Sequence, residues 1–232
     1  MIVDHGKYIL PLSVAKRTGT DKGDLLRFAG SSFYIDSFGT IATCSHIIES
    51  LQENEFLIAK ELSIGAFFEV KNLRCHPKFD FALGQIDVTK SKFFKPANKE
   101  LILGDDVGAI GFTASGKIGK DVHVETRMLR GYISRISEKP TAHIKGKSTF
   151  EVSFPSLAGF SGAPVTTHEG SFLAGMLFNN IESSIEVFSY SEIKDNDKKY
   201  SEKIHRIIEF GAVHPLEDIK TFLSDLKTTA FT

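Results

Sequence analysis

Three stretches of this chain carry the residue types of an acyl-transfer centre: Thr43-Cys44-Ser45-His46, Phe79-Asp80-Phe81-Ala82-Leu83 and Gly159-Phe160-Ser161-Gly162-Ala163-Pro164. A serine hydroxyl is a weak nucleophile at neutral pH. It needs an imidazole within hydrogen-bond reach to take its proton, and a carboxylate to fix that imidazole's tautomer. Asp80 stands between two phenylalanines at the head of the apolar run Ala82-Leu83-Gly84-Gln85-Ile86, where an unpaired carboxylate is costly and an imidazole N–H is a natural partner. Gly159 and Gly162 flank Ser161, and glycine lets the backbone turn sharply and aim N–H groups at a developing oxyanion. The candidate triad is therefore His46, Asp80 and Ser161, with the N–H groups of Gly159 and Ser161 as the oxyanion hole. Each stretch also has a plainer reading. Gly, Ser and Pro make ordinary turns, and a lone histidine is more often structural.

The elements that must position these residues are short. Tyr8 to Val14, Ser32 to Asp36, Thr40 to Cys44, Glu55 to Ala59, Ala66 to Val70 and Phe81 to Val88 read as strands. After a lysine-rich stretch from Thr89 to Glu100, the pattern resumes at Val107 to Phe112, Val122 to Ile136, Ser148 to Phe154, Ala163 to Thr167, Phe172 to Asn179, Ile185 to Tyr190 and Ile204 to Val213. Two segments read as helical: Ile47 to Gln52, and His214 to Lys227 with the stripe Leu216, Ile219, Phe222, Leu223 and Leu226. The charged stretch Glu192 to Lys203 reads as a solvated loop or hairpin end. Many short strands with frequent turn signals predict an all-β architecture of barrels or a sandwich, with a boundary near residue 95. The expected units are 1–95 carrying the histidine and aspartate, 96–213 carrying the serine, and a helix and tail over 214–232.

In order and compact spacing these segments resemble the chymotrypsin-like (trypsin-fold) serine peptidases, particularly the compact bacterial kind related to glutamyl endopeptidases and the HtrA proteases. Gly30-Ser31-Ser32-Phe33-Tyr34-Ile35 is similar to the strand before the family's histidine, and Gly104 to Phe112 to the opening strand of its second barrel. Arg130-Gly131-Tyr132-Ile133-Ser134 is similar to the glycine-centred strand that follows. The resemblance covers residues 7 to 226. It implies two six-stranded antiparallel β-barrels with a C-terminal α-helix, a triad in the cleft between them, and Ser161 as nucleophile, His46 as general base and acid, and Asp80 as orienting carboxylate. Three departures stand out. Ala163 replaces a second glycine, Phe160 replaces the aspartate that binds a new amino terminus in animal digestive members, and Cys44 has no partner for the histidine-loop disulfide.

By the same resemblance the substrate pocket lies between the segment before the nucleophile and the strand after it, here Pro155, Ser156, Phe178, Asn179 and Asn180. All are uncharged, which favours an uncharged P1 side chain unless Glu209 points inward and selects Lys or Arg. With 28 basic and 29 acidic side chains, a formal charge of -1 provides no field to gather nucleic acid or an anionic membrane, so a polypeptide substrate is expected. The first residues lack a basic start and apolar core, and only two cysteines are present, so a cytoplasmic setting is expected. No cofactor or metal is expected: Cys44, His46, Cys75 and His76 are possible ligand types, but their spacing does not follow the usual zinc patterns. A small protease with no appended domain is expected to need restraint, hence a regulatory protein partner. Two rival readings remain. One is a protease-fold binding scaffold that no longer cuts. The other is an α/β-hydrolase esterase, whose nucleophile elbow needs a helix directly after the serine.

Overall fold

A computed structural model describes residues 5–19, 23–88, 92–97, 100–118, 121–137, 149–167, 172–194 and 198–229. The first half folds as β1 (Ile9–Arg17), β2 (Gly23–Tyr34), β3 (Thr40–Thr43), α1 (Ser45–Glu49), β4 (Glu55–Glu61), β5 (Ala66–Glu69), β6 (Lys71–Cys75) and β7 (Ala82–Gln85). The second half continues with β8 (Lys95–Pro96), β9 (Asp106–Ile118), β10 (Asp121–Ser137), β11 (Thr149–Val152), β12 (Pro164–Thr167), β13 (Phe172–Lys194), β14 (Lys198–Pro215) and α2 (Leu216–Thr229).

The first sheet has the order β5-β4-β1-β2-β3-β7-β6. β5 and β6 are consecutive halves of one strand interrupted at Val70, whose N–H donates to Leu57 O at 2.9 Å. One half pairs with β4 and the other with β7, so the sheet closes on itself as a ring of six strands. The second sheet closes because β12 pairs with both β9 and β13, which makes a second ring of six; β8 adds a short parallel edge beside Phe172 and Leu173. Closure removes the unpaired edges that antiparallel sheets otherwise expose.

Alternation decides which face is buried. In β4 the side chains of Leu57, Ala59 and Glu61 point inward while their neighbours are only partly covered. The buried Glu61 carboxylate is satisfied by the Tyr34 hydroxyl, which donates to it at 2.6 Å. One core cluster joins the two sheets, since Ile110, Phe112, Met176 and Phe178 of the second pack with Phe33, Ile41 and Phe81 of the first. A second cluster, including Val107, Ile133, Phe160 and Leu177, fills the second ring.

Three differences from the sequence expectations have local causes. β14 continues through His214 and Pro215, which pair with Met176 and Gly175, so the terminal helix starts at Leu216; its predicted stripe does pack on the shared core. α1 covers Ser45–Glu49 rather than Ile47 to Gln52 because Cys44 is still extended and the His46 amide is capped by a carboxylate from elsewhere in the chain. The separate strands expected at Phe172 to Asn179, Ile185 to Tyr190 and Ile204 to Val213 are arms of one long hairpin, β13–β14, whose arms are described as far as Lys194 and from Lys198; the middle of the charged stretch Glu192 to Lys203 lies outside the described residues. Among the described residues no helix is long and apolar enough to cross a membrane.

Candidate active site

β3 delivers Cys44 to the start of α1 and so sets His46 at the end of the first ring. The Asp80 carboxylate grips His46 twice: Oδ1 accepts from the His46 main-chain N–H at 3.0 Å, and Oδ2 lies 2.7 Å from Nδ1. An ionised carboxylate on Nδ1 favours the tautomer with its proton there, leaving Nε2 free to accept another. The imidazole is half exposed and the carboxylate a quarter exposed, so the pair opens onto a cleft.

Asp80 is held by a loop whose organiser was not recognised in the sequence. His76 Nδ1 accepts from the N–H groups of Lys78 and Phe79, each at 3.1 Å, and its ring stacks on Phe79 at 4.4 Å. Ser45 Oγ donates to Phe81 O at 2.7 Å and so ties the loop to α1. Phe222 of α2 closes the cluster, with ring centroids 4.9 Å from His76 and 5.6 Å from Phe81. Beneath it lies His214, fully buried, stacked on Phe178 at 3.9 Å and with the Asp80 backbone beside its ring. Burial pushes the His214 imidazole down to about 4, against the pull of nearby Asp80. The only sequence signal for this support was the run of aromatic and histidine residues around 76–81.

The serine loop joins β11 to β12. Gly159 and Gly162 have φ of +94° and +85°, in the left-handed region. A Cβ on Gly162 would lie 2.2 Å from Ser31 O, and one on Gly159 would lie 2.5 Å from Phe112 O. Ser31 welds this loop to the first ring. Its N–H donates to Ser161 O at 2.9 Å, its hydroxyl donates to Gly159 O at 2.7 Å, and the Phe112 N–H donates to that hydroxyl at 3.0 Å. Thr43 Oγ1 donates to Ser31 O at 2.9 Å, which links the weld to the strand that carries His46. The Cβ missing from Gly30 would meet Ser161 O at 2.9 Å and Ile47 Cδ1 at 2.7 Å, so Ser161 borders the residue after His46.

Within the loop, Phe160 N–H donates to Leu157 O, Gly162 N–H to Leu177 O and Ala163 N–H to Phe160 O, at 2.8, 2.9 and 2.8 Å. The N–H groups of Gly159 and Ser161, and the Ser161 hydroxyl, make no hydrogen bond among the described residues. The Gly159 and Ser161 amides, on either side of the paired Phe160 N–H, are thus unspent.

A cleft of about 310 Å³ is walled by His46, Asp80, Phe79, Phe178 and Asn179, among others. A larger hollow, about 540 Å³, lies between Phe150, Leu173 and the start of α2, but no residue of the three motifs lines it, so size is a poor guide here. Beside the cleft, the Asn180 side chain spans to Ser156: its Oδ1 accepts from Ser156 N–H and its Nδ2 donates to Ser156 O at 3.0 Å. Pro155 is half-buried next to this bridge. Glu209 is exposed on the β13–β14 hairpin opposite Glu182, so its carboxylate does not enter the space between Ser156 and Phe178.

Cys44 is fully buried and Cys75 is exposed. Burial, reinforced by Asp80, pushes the Cys44 thiol up. Among the described residues, one group offers three metal-type ligand atoms within 4.8 Å of one another: Cys44, His46 and Asp80. The direct Nδ1–Oδ2 hydrogen bond already occupies two of those atoms and leaves no space for an ion between them. Cys75 and His76 do not join the group.

After Ser161 the chain enters β12, not a helix, which removes the α/β-hydrolase alternative. A search of curated proteins finds no match for this chain. The family model of the trypsin-like peptidase domain matches residues 30–175, a span that takes in all three motifs and well over half of the sequence; the chain belongs to the trypsin-like peptidase family.

Proposed function

We propose that this chain is a serine endopeptidase that cleaves peptide bonds through an acyl-enzyme, with Ser161 as nucleophile, His46 as general base and acid, and Asp80 as the orienting carboxylate. Family membership supports a serine-peptidase type of chemistry. The observation that carries the finer reading is the double grip of the Asp80 carboxylate on His46, at its main-chain N–H and at Nδ1, which leaves Nε2 free to take a proton.

In this mechanism Ser161 Oγ attacks the substrate carbonyl carbon while its proton passes to His46 Nε2. The carbonyl oxygen becomes an oxyanion and takes hydrogen bonds from Gly159 N–H and Ser161 N–H. Collapse breaks the C–N bond, and His46 returns the proton to the departing amine. Water, deprotonated by His46, then attacks the ester carbonyl and releases the acid, and Ser161 recovers its hydrogen. Asp80 stays ionised throughout and holds the imidazole through Nδ1. The side chains expected beside P1, Pro155, Ser156, Phe178, Asn179 and Asn180, are uncharged, and the Asn180 amide is spent on Ser156, so the reading extends to uncharged P1 residues.

The test is covalent labelling with a fluorophosphonate. The expected result is a single adduct on Ser161, absent from Ser161→Ala and slowed about 10³- to 10⁴-fold in Asp80→Asn, whose imidazole is held in the wrong tautomer. Folded protein that never labels would make the chain a binding scaffold.

A further inference from the structure

The β13–β14 hairpin runs far past the second ring. β12 leaves β13 at Met176 and β11 leaves β14 at Gly211, yet the two arms stay paired to Lys194 and Lys198. A two-stranded ribbon standing alone is marginal in water. Its two faces differ. Residues two apart on a strand share a face, so Glu202, Ile204 and Arg206 of β14 point to one side, together with their direct partners on β13, Tyr190, Phe188 and Ile185. The bulge between Glu186 and Phe188 absorbs one extra residue and keeps Ile185 and Phe188 on that side. At its centre Phe188 and Ile204 are 52 % and 50 % exposed, and Ile185 and Tyr190 beside them are exposed too. On the opposite face, beside Ile207, Glu186 pairs with Lys203 at 2.7 Å and the Ser184 hydroxyl lies 2.9 Å from His205 Nδ1, so its polar groups satisfy one another.

The two charges on the apolar face identify the occupant. Arg206 and Glu202 are both exposed, and neither has an ion-pair partner among the described residues. Four residues apart on one strand, they are separated by about 13 Å and cannot pair with each other. They flank Ile204 symmetrically, and Ile204 lies near the middle of the free ribbon, which runs from Gly211 to Lys198 along β14. Symmetric placement of opposite charges about an apolar centre is what a self-complementary, two-fold contact requires. With the axis crossing the ribbon through Phe188 and Ile204, a second copy lies face to face with its strands reversed. Arg206 of each copy then meets Glu202 of the other, Ile185 meets Tyr190, and Phe188 and Ile204 pack on their own counterparts. Because the axis is central, the ribbons overlap over their whole free length and neither end runs into the other copy's ring. An axis along the ribbon would instead set Arg206 beside Arg206 and Glu202 beside Glu202. We propose that this face of the ribbon is a homodimer interface, with the two copies crossing in that reversed orientation. A strip roughly 40 Å by 12 Å on each copy covers on the order of 1,000 Å² in all, the size of a concentration-dependent dimer rather than an obligate one.

The inference stands apart from the hydrolytic reading, so Ser161→Ala should dimerise as the unmodified protein does, whether or not the latter labels with fluorophosphonate. Sedimentation velocity on the full chain from about 1 to 100 µM, at low ionic strength so that ion pairs are not screened, should show a monomer–dimer equilibrium. Arg206→Glu and, separately, Glu202→Arg set like charges against each other at both ends of the contact, and each should weaken the dimer about tenfold or more. Both substitutions in one chain put opposite charges across the axis again and should restore the original affinity. An equimolar mixture of the two single variants should form a heterodimer tighter than either variant forms with itself. A chain that stays monomeric at every concentration overturns the proposal. So does a dimer indifferent to the single reversals, or one that the combined reversal fails to restore.

Discussion

Gly162 shows how little freedom the nucleophile loop has. Its φ of +85° disfavours any side chain, and the position a Cβ would take lies 2.2 Å from Ser31 O and 2.7 Å from Thr43 Oγ1. Neither neighbour can yield cheaply, since one is backbone and the other holds Ser31 through its own hydrogen bond. Gly162→Ala should therefore cost about 3 kcal/mol in urea denaturation and erase fluorophosphonate labelling, because the loop must unbend to accommodate one methyl group. A variant that keeps both its midpoint and its labelling rate would show that the loop is softer than this geometry implies. His46, Asp80 and the two glycines were readable in the sequence because each carries a residue type with few alternative uses in that setting. His76 was not, because its work is to accept two main-chain N–H groups, and nothing in a sequence distinguishes that from any other histidine.

Strand order was legible where burial imposes a pattern and lost where it does not. β1 and β4 announce themselves by apolar positions that are buried in the folded chain, whereas β6, Lys71–Cys75, has no buried residue and reads as polar loop, though it closes the first ring. The length of β13–β14 was hidden for a different reason. A ribbon exposed on both faces carries charged and apolar residues in mixed order, and a bulge between Glu186 and Phe188 breaks the alternation that would have revealed one continuous strand. Side-chain bridges are harder still to foresee. Asn180 ties the segment at Ser156 to β13 through both ends of its amide, so on the proposed reading Asn180→Ala should free that segment: cleavage of a peptide library by the variant should shift toward larger uncharged P1 residues. A library profile identical to that of the unmodified protein would mean that P1 is read elsewhere.

For the molecule as a whole, the buried imidazole beneath the aspartate loop sets a pH limit. His214 titrates near 4 in the folded chain and near its ordinary value of 6.5 when unfolded, so between these values the unfolded chain takes up a proton that the folded one refuses. Stability must fall as pH drops through that window, by roughly 3 kcal/mol in all, and level off below it. His76 is shifted in the same direction, chiefly by burial and then by Lys78, and steepens the slope. Urea midpoints measured from pH 7 to 4.5 should follow this curve, and His214→Phe, whose ring fits the same stack on Phe178, should flatten it; an unaltered slope would clear His214 of responsibility. Ser31 has a consequence of another kind. Its hydrogen bonds fasten the Ser161 loop to the sheet that leads to His46, so no partial product of translation brings the three motifs together. A chain halted before Leu177 lacks the carbonyl that Gly162 N–H binds, so the serine loop comes to rest against the strand leading to His46 only once both cylinders have been made and locked together.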